Sequence, residues 1–217
     1  MAFDKAYFDA GIARIGTECE KWDGMIAATG DESMIPMWVA DMDFPSPPAV
    51  REALASVLAR GTWGYTIRGE ADTKALTDYW ARRHNMVIDP ESVTISPCVV
   101  TGLKLGLRAV TREGDGILIN PPVYGPFFMS IKANGRKVVE SPLVADENGR
   151  YTMNLAEMEE KLASGEAKAV MLCSPHNPVG RAWSREELAA RVEALERYLF
   201  RLCNQLQAAL NELERRG

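Results

Sequence analysis

Short apolar runs alternate with amphipathic stretches between residues 93 and 173, and this alternation constrains the fold more than any other feature of the chain. Val93-Thr94-Ile95, Gly116-Ile117-Leu118-Ile119, Lys137-Val138-Val139-Glu140 and Ala169-Val170-Met171-Leu172-Cys173 read as strands. Val99 to Val110, Phe127 to Ala133 and Met153 to Leu162 read as helices, and Leu103, Leu107 and Val110 share a face of the first. Strands separated by helices need crossover connections. The expected fold is therefore α/β, with a mostly parallel sheet in three α/β/α layers. Upstream, Ser46-Pro47-Pro48 opens a helix with Ser46 as N-cap and proline in the first turn. Val50, Leu54, Val57 and Leu58 form its apolar face, and Gly61 ends it. A second helix is expected from Ala71 to His84, with Leu76, Tyr79 and Trp80 facing inward.

The fourth strand runs into Ser174-Pro175-His176-Asn177-Pro178-Val179-Gly180-Arg181, which holds an amide side chain between two prolines. Ligands of open α/β sheets bind outside the carboxyl ends of strands, so this stiff turn is a candidate site. Read alone it is only a turn, since Asn-Pro is a common turn pair. After it, Ser184-Arg185-Glu186-Glu187 spells a capping box, in which serine and glutamate side chains satisfy each other's backbone donors. Leu188, Val192, Leu195, Leu199, Leu202, Leu206, Ala209 and Leu213 then recur in steps of four and three, with Phe200 and Leu210 widening the seam. About thirty such residues make roughly 45 Å of amphipathic helix, two to three times an ordinary crossover helix.

Composition narrows the function. The net charge is −5, from 25 basic and 30 acidic residues without a basic cluster, which argues against nucleic-acid binding. No apolar run approaches the roughly 20 residues that span a bilayer, and the first residues have no signal-peptide pattern, so a cytoplasmic protein is expected. Cys19, Cys98, Cys173 and Cys203 are far apart and form no CxxC pair, so they read as reduced thiols rather than metal ligands or a disulfide framework. His84 and His176 are too isolated to argue for metal or acid–base work.

Several segments together resemble the cystathionine β-lyase (C–S lyase) subfamily of the fold-type I pyridoxal-phosphate enzymes, within the class I/II aminotransferase superfamily. They are Arg14-Ile15-Gly16-Thr17 with Lys21-Trp22-Asp23, Pro36-Met37-Trp38-Val39-Ala40-Asp41-Met42-Asp43-Phe44, and Gly64-Tyr65-Thr66. Ser96-Pro97-Cys98-Val99-Val100-Thr101-Gly102-Leu103, Pro122-Val123-Tyr124-Gly125-Pro126-Phe127 and Pro175 to Arg181 follow in the family's order. The resemblance covers residues 3 to about 190. It implies a large α/β domain, a smaller domain, and a homo-oligomer with sites at the dimer interface. On that pattern residues 1–45 are an N-terminal arm and small-domain segment, 46–188 a shortened large domain, and 189–217 an unrelated helical tail.

The resemblance also implies site residues. The backbone amides of Val99 and Val100 would hold the phosphate of pyridoxal 5'-phosphate (PLP), chemistry that suits a helix N-terminus. Cys98 stands where the family usually has glycine. Tyr124 would stack on the pyridine ring, Asn177 would hydrogen-bond its phenolic oxygen, and Tyr65 would reach the phosphate of a neighbouring subunit. Trp38 and Asp41 would line the pocket for an amino-acid substrate. Without the resemblance, Tyr124 reads as a packed loop aromatic, Asn177 and Tyr65 as turn residues, and Cys98 as a small buried filler.

PLP chemistry also needs a Schiff-base lysine, an acid at the pyridine nitrogen and a carboxylate-binding arginine. In the family these follow the segment that ends near Leu188, and no lysine here lies in a matching context; Lys104 and Lys168 read as surface charges. The expectation is a C–S β-lyase by resemblance, releasing pyruvate, ammonia and a thiol, that does not turn over alone; an aminotransferase is the nearest variant. The alternatives are a non-catalytic scaffold that assembles through its C-terminal helix, or one half of a split enzyme. No metal site is expected.

Overall fold

The computed structural model describes residues 4–9, 11–67, 69–190 and 192. The chain divides into two compact units, Met1–Arg82 and Arg83–Gly217. The seam residues expected beyond Val192, including Leu195, Leu199, Leu202, Leu206 and Leu213, lie outside the described residues.

In the first unit, α1 (Lys5–Asp9) precedes a π-helical turn over Glu20–Gly24 that runs into α2 (Met25–Thr29). Then come α3 (Pro48–Arg60) and α4 (Glu70–His84). Gly61 caps α3 at a φ of 66°, a left-handed conformation that glycine adopts without steric cost. The N-cap is Pro47 rather than Ser46. The helix begins at Pro48, and its first turn is closed by the Val50 N–H reaching the Pro47 carbonyl at 3.0 Å; the two prolines themselves offer a serine cap no N–H. Val50, Leu54 and Leu58 on α3 are exposed, and so are Leu76 and Tyr79, which the periodicity directed inward. Helical spacing marks an apolar face but does not supply the element that covers it.

In the second unit, α5 (Val99–Val110), β1 (Gly116–Ile119), α6 (Gly125–Ala133) and β2 (Lys137–Glu140) are followed by β3 (Val144–Ala145) and β4 (Tyr151–Thr152). The unit continues with α7 (Leu155–Ala163), β5 (Ala169–Val170) and a helix over residues 185–190. The main sheet has the order β2-β1-β5, all parallel. Side chains alternate across a strand. Ile117 and Ile119 accordingly pack on Leu107, Phe127 and Ile131 of α5 and α6. Leu118 packs on Met158 and Leu162 of α7 on the opposite face. These three β1 side chains are fully buried, each contributing about 1.5–3 kcal/mol relative to exposure. The three layers match the α/β/α expectation.

Three departures have local causes. Val93 to Ile95 joins neither sheet; the Val93 N–H closes the 3-10 turn at Pro90–Ser92 by donating to Pro90. β5 stops at Val170, apart from one further bond from Met171 N–H to Leu118. Beyond Ile119 the neighbouring chain is Asn120-Pro121-Pro122, and prolines cannot extend a ladder. The short antiparallel pair of β3 and β4 was not expected. It is turned by Asp146, whose carboxylate accepts the N–H groups of Asn148 and Arg150 at 2.9 and 2.8 Å.

Two glycines should respond oppositely to alanine. A Cβ on Gly116 would stand 1.9 Å from the Glu166 carbonyl oxygen, so the backbone must shift at a cost of about 1–3 kcal/mol. A Cβ on Gly106 meets nothing within 4 Å, and removing a helix glycine gains about 0.5–1 kcal/mol. Urea melts should show Gly116→Ala destabilised and Gly106→Ala stabilised.

Candidate functional site

The connection from β1 to β2 passes through α6 on one face of the sheet, and that from β2 to β5 passes through α7 on the other. The chain thus reverses direction across the sheet at the β1–β5 boundary. The crevice at the carboxyl ends of such strands is the preferred ligand site of an open α/β sheet. Tyr124 follows β1 and Asn177 follows β5, so both stand in loops at the carboxyl ends of these strands.

The two loops are tied together. Asn120 donates its side-chain amide to the Ser141 carbonyl at 2.9 Å, and the Pro121 carbonyl accepts the Leu143 N–H at 2.7 Å. On the other side His176 Nε2 lies 3.0 Å from the Pro122 carbonyl oxygen. The turn is closed by His176 N–H donating to the Arg181 carbonyl and Gly180 N–H donating to the His176 carbonyl, at 2.7 and 2.8 Å. Arg181 lies over the Trp183 ring and donates to the Tyr151 carbonyl and to Glu187. Glu187 and Ser184 complete the expected capping box, with bonds of 2.8 and 3.2 Å. Tyr124 caps α6, half-exposed and edge-on to Phe127. Asn177 is exposed, and its N–H donates to Cys173 Sγ.

Val99 and Val100 begin α5, where an α-helix leaves its first N–H groups without intrahelical acceptors. Val99 also lines an open groove of about 540 Å³ between α5 and the chain at Val170 and Leu172. Cys98 is not a buried filler. It is exposed and caps α5, accepting the Thr101 N–H at 3.4 Å. Bonds from the Thr101 hydroxyl and N–H, then from the Val100 N–H, with the charge of Lys104, hold the Cys98 thiol below its ordinary pKa.

Trp38, Asp41 and Tyr65 belong to the unit Met1–Arg82. Tyr65 is fully exposed on a stretch without regular secondary structure. Asp41 is held in an ion network. Arg14 donates to Asp41, to the Met42 carbonyl at 2.7 Å and to Asp43 at 3.2 Å. Lys21, itself buried, donates to the Asp41 carbonyl at 3.0 Å and to Asp43 at 2.6 Å. Trp22 donates to Asp43 at 2.9 Å, and Trp38 donates to the Lys21 carbonyl at 3.3 Å. Lys21 and then Trp22 hold the Asp43 carboxyl below its usual range. Sequence reasoning gave no role to Arg14, Lys21, Asp43 or His176. The first three stand inside the segments that carry the resemblance, which was the available signal. His176 stands inside one too, Pro175 to Arg181, but its partner is 54 residues away, so no local pattern announced the contact.

A family model described as aminotransferase class I and II matches residues 32–202. The chain belongs to the class I and II aminotransferase family. Within it, cystathionine beta-lyase PatB of Bacillus subtilis (strain 168) is 41% identical over 181 residues, which cover 83% of this chain and 46% of that protein. The PLP-bound C-S lyase from Staphylococcus hominis superposes with a TM-score of 0.80 at 30% identity, over 91% of this chain and 49% of that one. Cystalysin from Treponema denticola, which contains a pyridoxal 5'-phosphate cofactor, superposes with a TM-score of 0.78 at 35% identity, over 86% and 48%. This aminotransferase-family chain thus spans about half the length of the relatives it matches. Among the described residues no helix is long and apolar enough to cross a membrane, and no group of three or more His, Cys, Asp or Glu could hold a metal ion.

Two measurements test the electrostatics. The thiolate is the reactive form of cysteine, so iodoacetamide at neutral pH should modify Cys98 before Cys173, as mass spectrometry of timed digests would show. Cys173 is partly buried and hydrogen-bonded to Pro175. The pairing of Asp43 has the opposite sign of pH dependence from a cation's. Its folded pKa lies below the unfolded value of about 3.9, so its contribution is complete above that value and is lost as the pH falls through the folded one. An acid titration followed by tryptophan fluorescence should show this transition, and Asp43→Asn should remove it.

Proposed function

We propose that this chain forms the cofactor-binding part of a PLP-dependent C–S lyase acting on sulfur-bearing amino acids. The observation that carries the reading is the crevice at the sheet's reversal point, where the Tyr124 and Asn177 loops are bonded together through His176 and Pro122. The donor set suits the cofactor. First-turn N–H groups of Val99 and Val100 would hold the phosphate, the Val100 N–H exchanging the Cys98 sulfur for it, Tyr124 would stack on the ring, and the Asn177 amide would donate to the phenolic oxygen. Tyr65 would contact the phosphate bound by a second copy, and Trp38 with Asp41 would line the substrate pocket. PLP, when bound, supplies an electron-withdrawing ring that stabilises negative charge developing at the substrate's α-carbon. The names and contents of the lyase relatives support the choice of cofactor and substrate class.

The loops over residues 120–124 and 174–181 contain no lysine. The proton at the α-carbon therefore has no amine acceptor from either loop, and turnover by this chain alone is not expected. A second reading, an assembling half, is favoured by β5, which among the described residues pairs with β1 alone, and by the exposed Val99 and Val110 beside it.

Equilibrium dialysis against PLP should show reversible binding, weakened about three- to tenfold by Tyr124→Ala or Asn177→Ala. Borohydride treatment should leave no pyridoxyl–lysine, and cystathionine should yield no pyruvate. A stable reduced adduct together with pyruvate release would overturn the non-catalytic part of the reading. Wild-type protein that fails to bind PLP would overturn the rest.

A further inference from the structure

We infer that His176 is a positioning residue that fixes the spacing between the Tyr124 and Asn177 loops through a single donor, Nε2–H. The residue is only 1% exposed, and its Nε2 is 3.0 Å from the Pro122 carbonyl oxygen. A carbonyl oxygen can only accept, so the bond places a proton on Nε2. Nδ1 has no hydrogen-bond partner among the described residues. The ring cannot swing away, because Trp183 packs edge-on at 5.4 Å and is itself held by a bond from its Nε1 to the Cys173 carbonyl at 2.9 Å.

The backbone of the same residue is fixed at both ends of the turn by Arg181 and Gly180. Asn177 is the next residue in the chain, and Tyr124 stands two residues after Pro122. A movement of the imidazole therefore displaces one loop relative to the other. The role depends on where the donor sits. Glutamine places its amide nitrogen near the Nε2 position, whereas asparagine reaches only as far as Nδ1.

The consequence for PLP rests on the function proposed above; the coupling of the loops does not. The full chain is compared with its H176Q, H176N and H176L variants by ¹H–¹⁵N spectra and by dialysis against PLP. H176N and H176L should shift the amide signals of Tyr124 and Asn177 together and weaken PLP binding about tenfold, the size of one lost buried hydrogen bond, while H176Q keeps both near wild type. Equal behaviour of the glutamine and asparagine variants, or an Asn177 shift without one at Tyr124, overturns the inference. If H176L does not fold, the glutamine and asparagine pair decides. Wild-type protein that does not bind PLP sinks the proposed function alone, and the amide signals still decide the coupling.

Discussion

β1 is buried on both faces, and the geometry of the second unit follows from that. Ile117 and Ile119 need one apolar layer and Leu118 needs another, so α5 and α6 must cover one side and α7 the other. Satisfying both faces sends the chain out to β2 by one side and back past β1 to β5 by the other. The reversal point is a by-product of this double burial. Gly116 begins the strand because the Glu166 carbonyl approaches too closely for any side chain. The reversal point lies beside β1 because the two buried faces of that strand are covered from opposite sides.

The first unit is organised differently. Among its described residues few apolar side chains are buried, and much of its order comes from charged groups reaching across the chain. Arg14 and Lys21 each bind two segments of the Asp41–Asp43 stretch, by carboxylates and by backbone carbonyls. Charge-assisted bonds to a nearly buried lysine are directional, so they specify the course of that stretch more than they add bulk stability. The turn bearing Trp38 and Asp41 is held by polar geometry rather than by packing.

Much of this was legible in the sequence, for identifiable reasons. The apolar runs at 116–119 and 137–140 had no plausible place but a sheet, and Val99–Val110 carried a helical period strong enough to survive. Ser184 and Glu187 met as the capping box spelled out. The failures involve competition for backbone donors or contacts distant in sequence. Val93 has strand character, but its N–H was already committed to the preceding turn. β3 and β4 are two residues each, too short for any alternation to register. Cys98 looked like a filler and is an exposed helix cap. The loops bearing Tyr124 and Asn177 were readable from turn spelling, and the roles expected of those residues only from the resemblance; the bond from His176 to Pro122 was in neither, since nothing local distinguishes that histidine from a packed ring.

The locked turn at residues 174–181 has a consequence for molecular recognition. A loop that must be ordered by its ligand spends part of the interaction energy on that ordering. Here the immobilisation is completed during folding, by bonds that involve no ligand atom. A planar guest entering the crevice would meet a preorganised receptor, and its affinity would reflect contacts made rather than disorder removed.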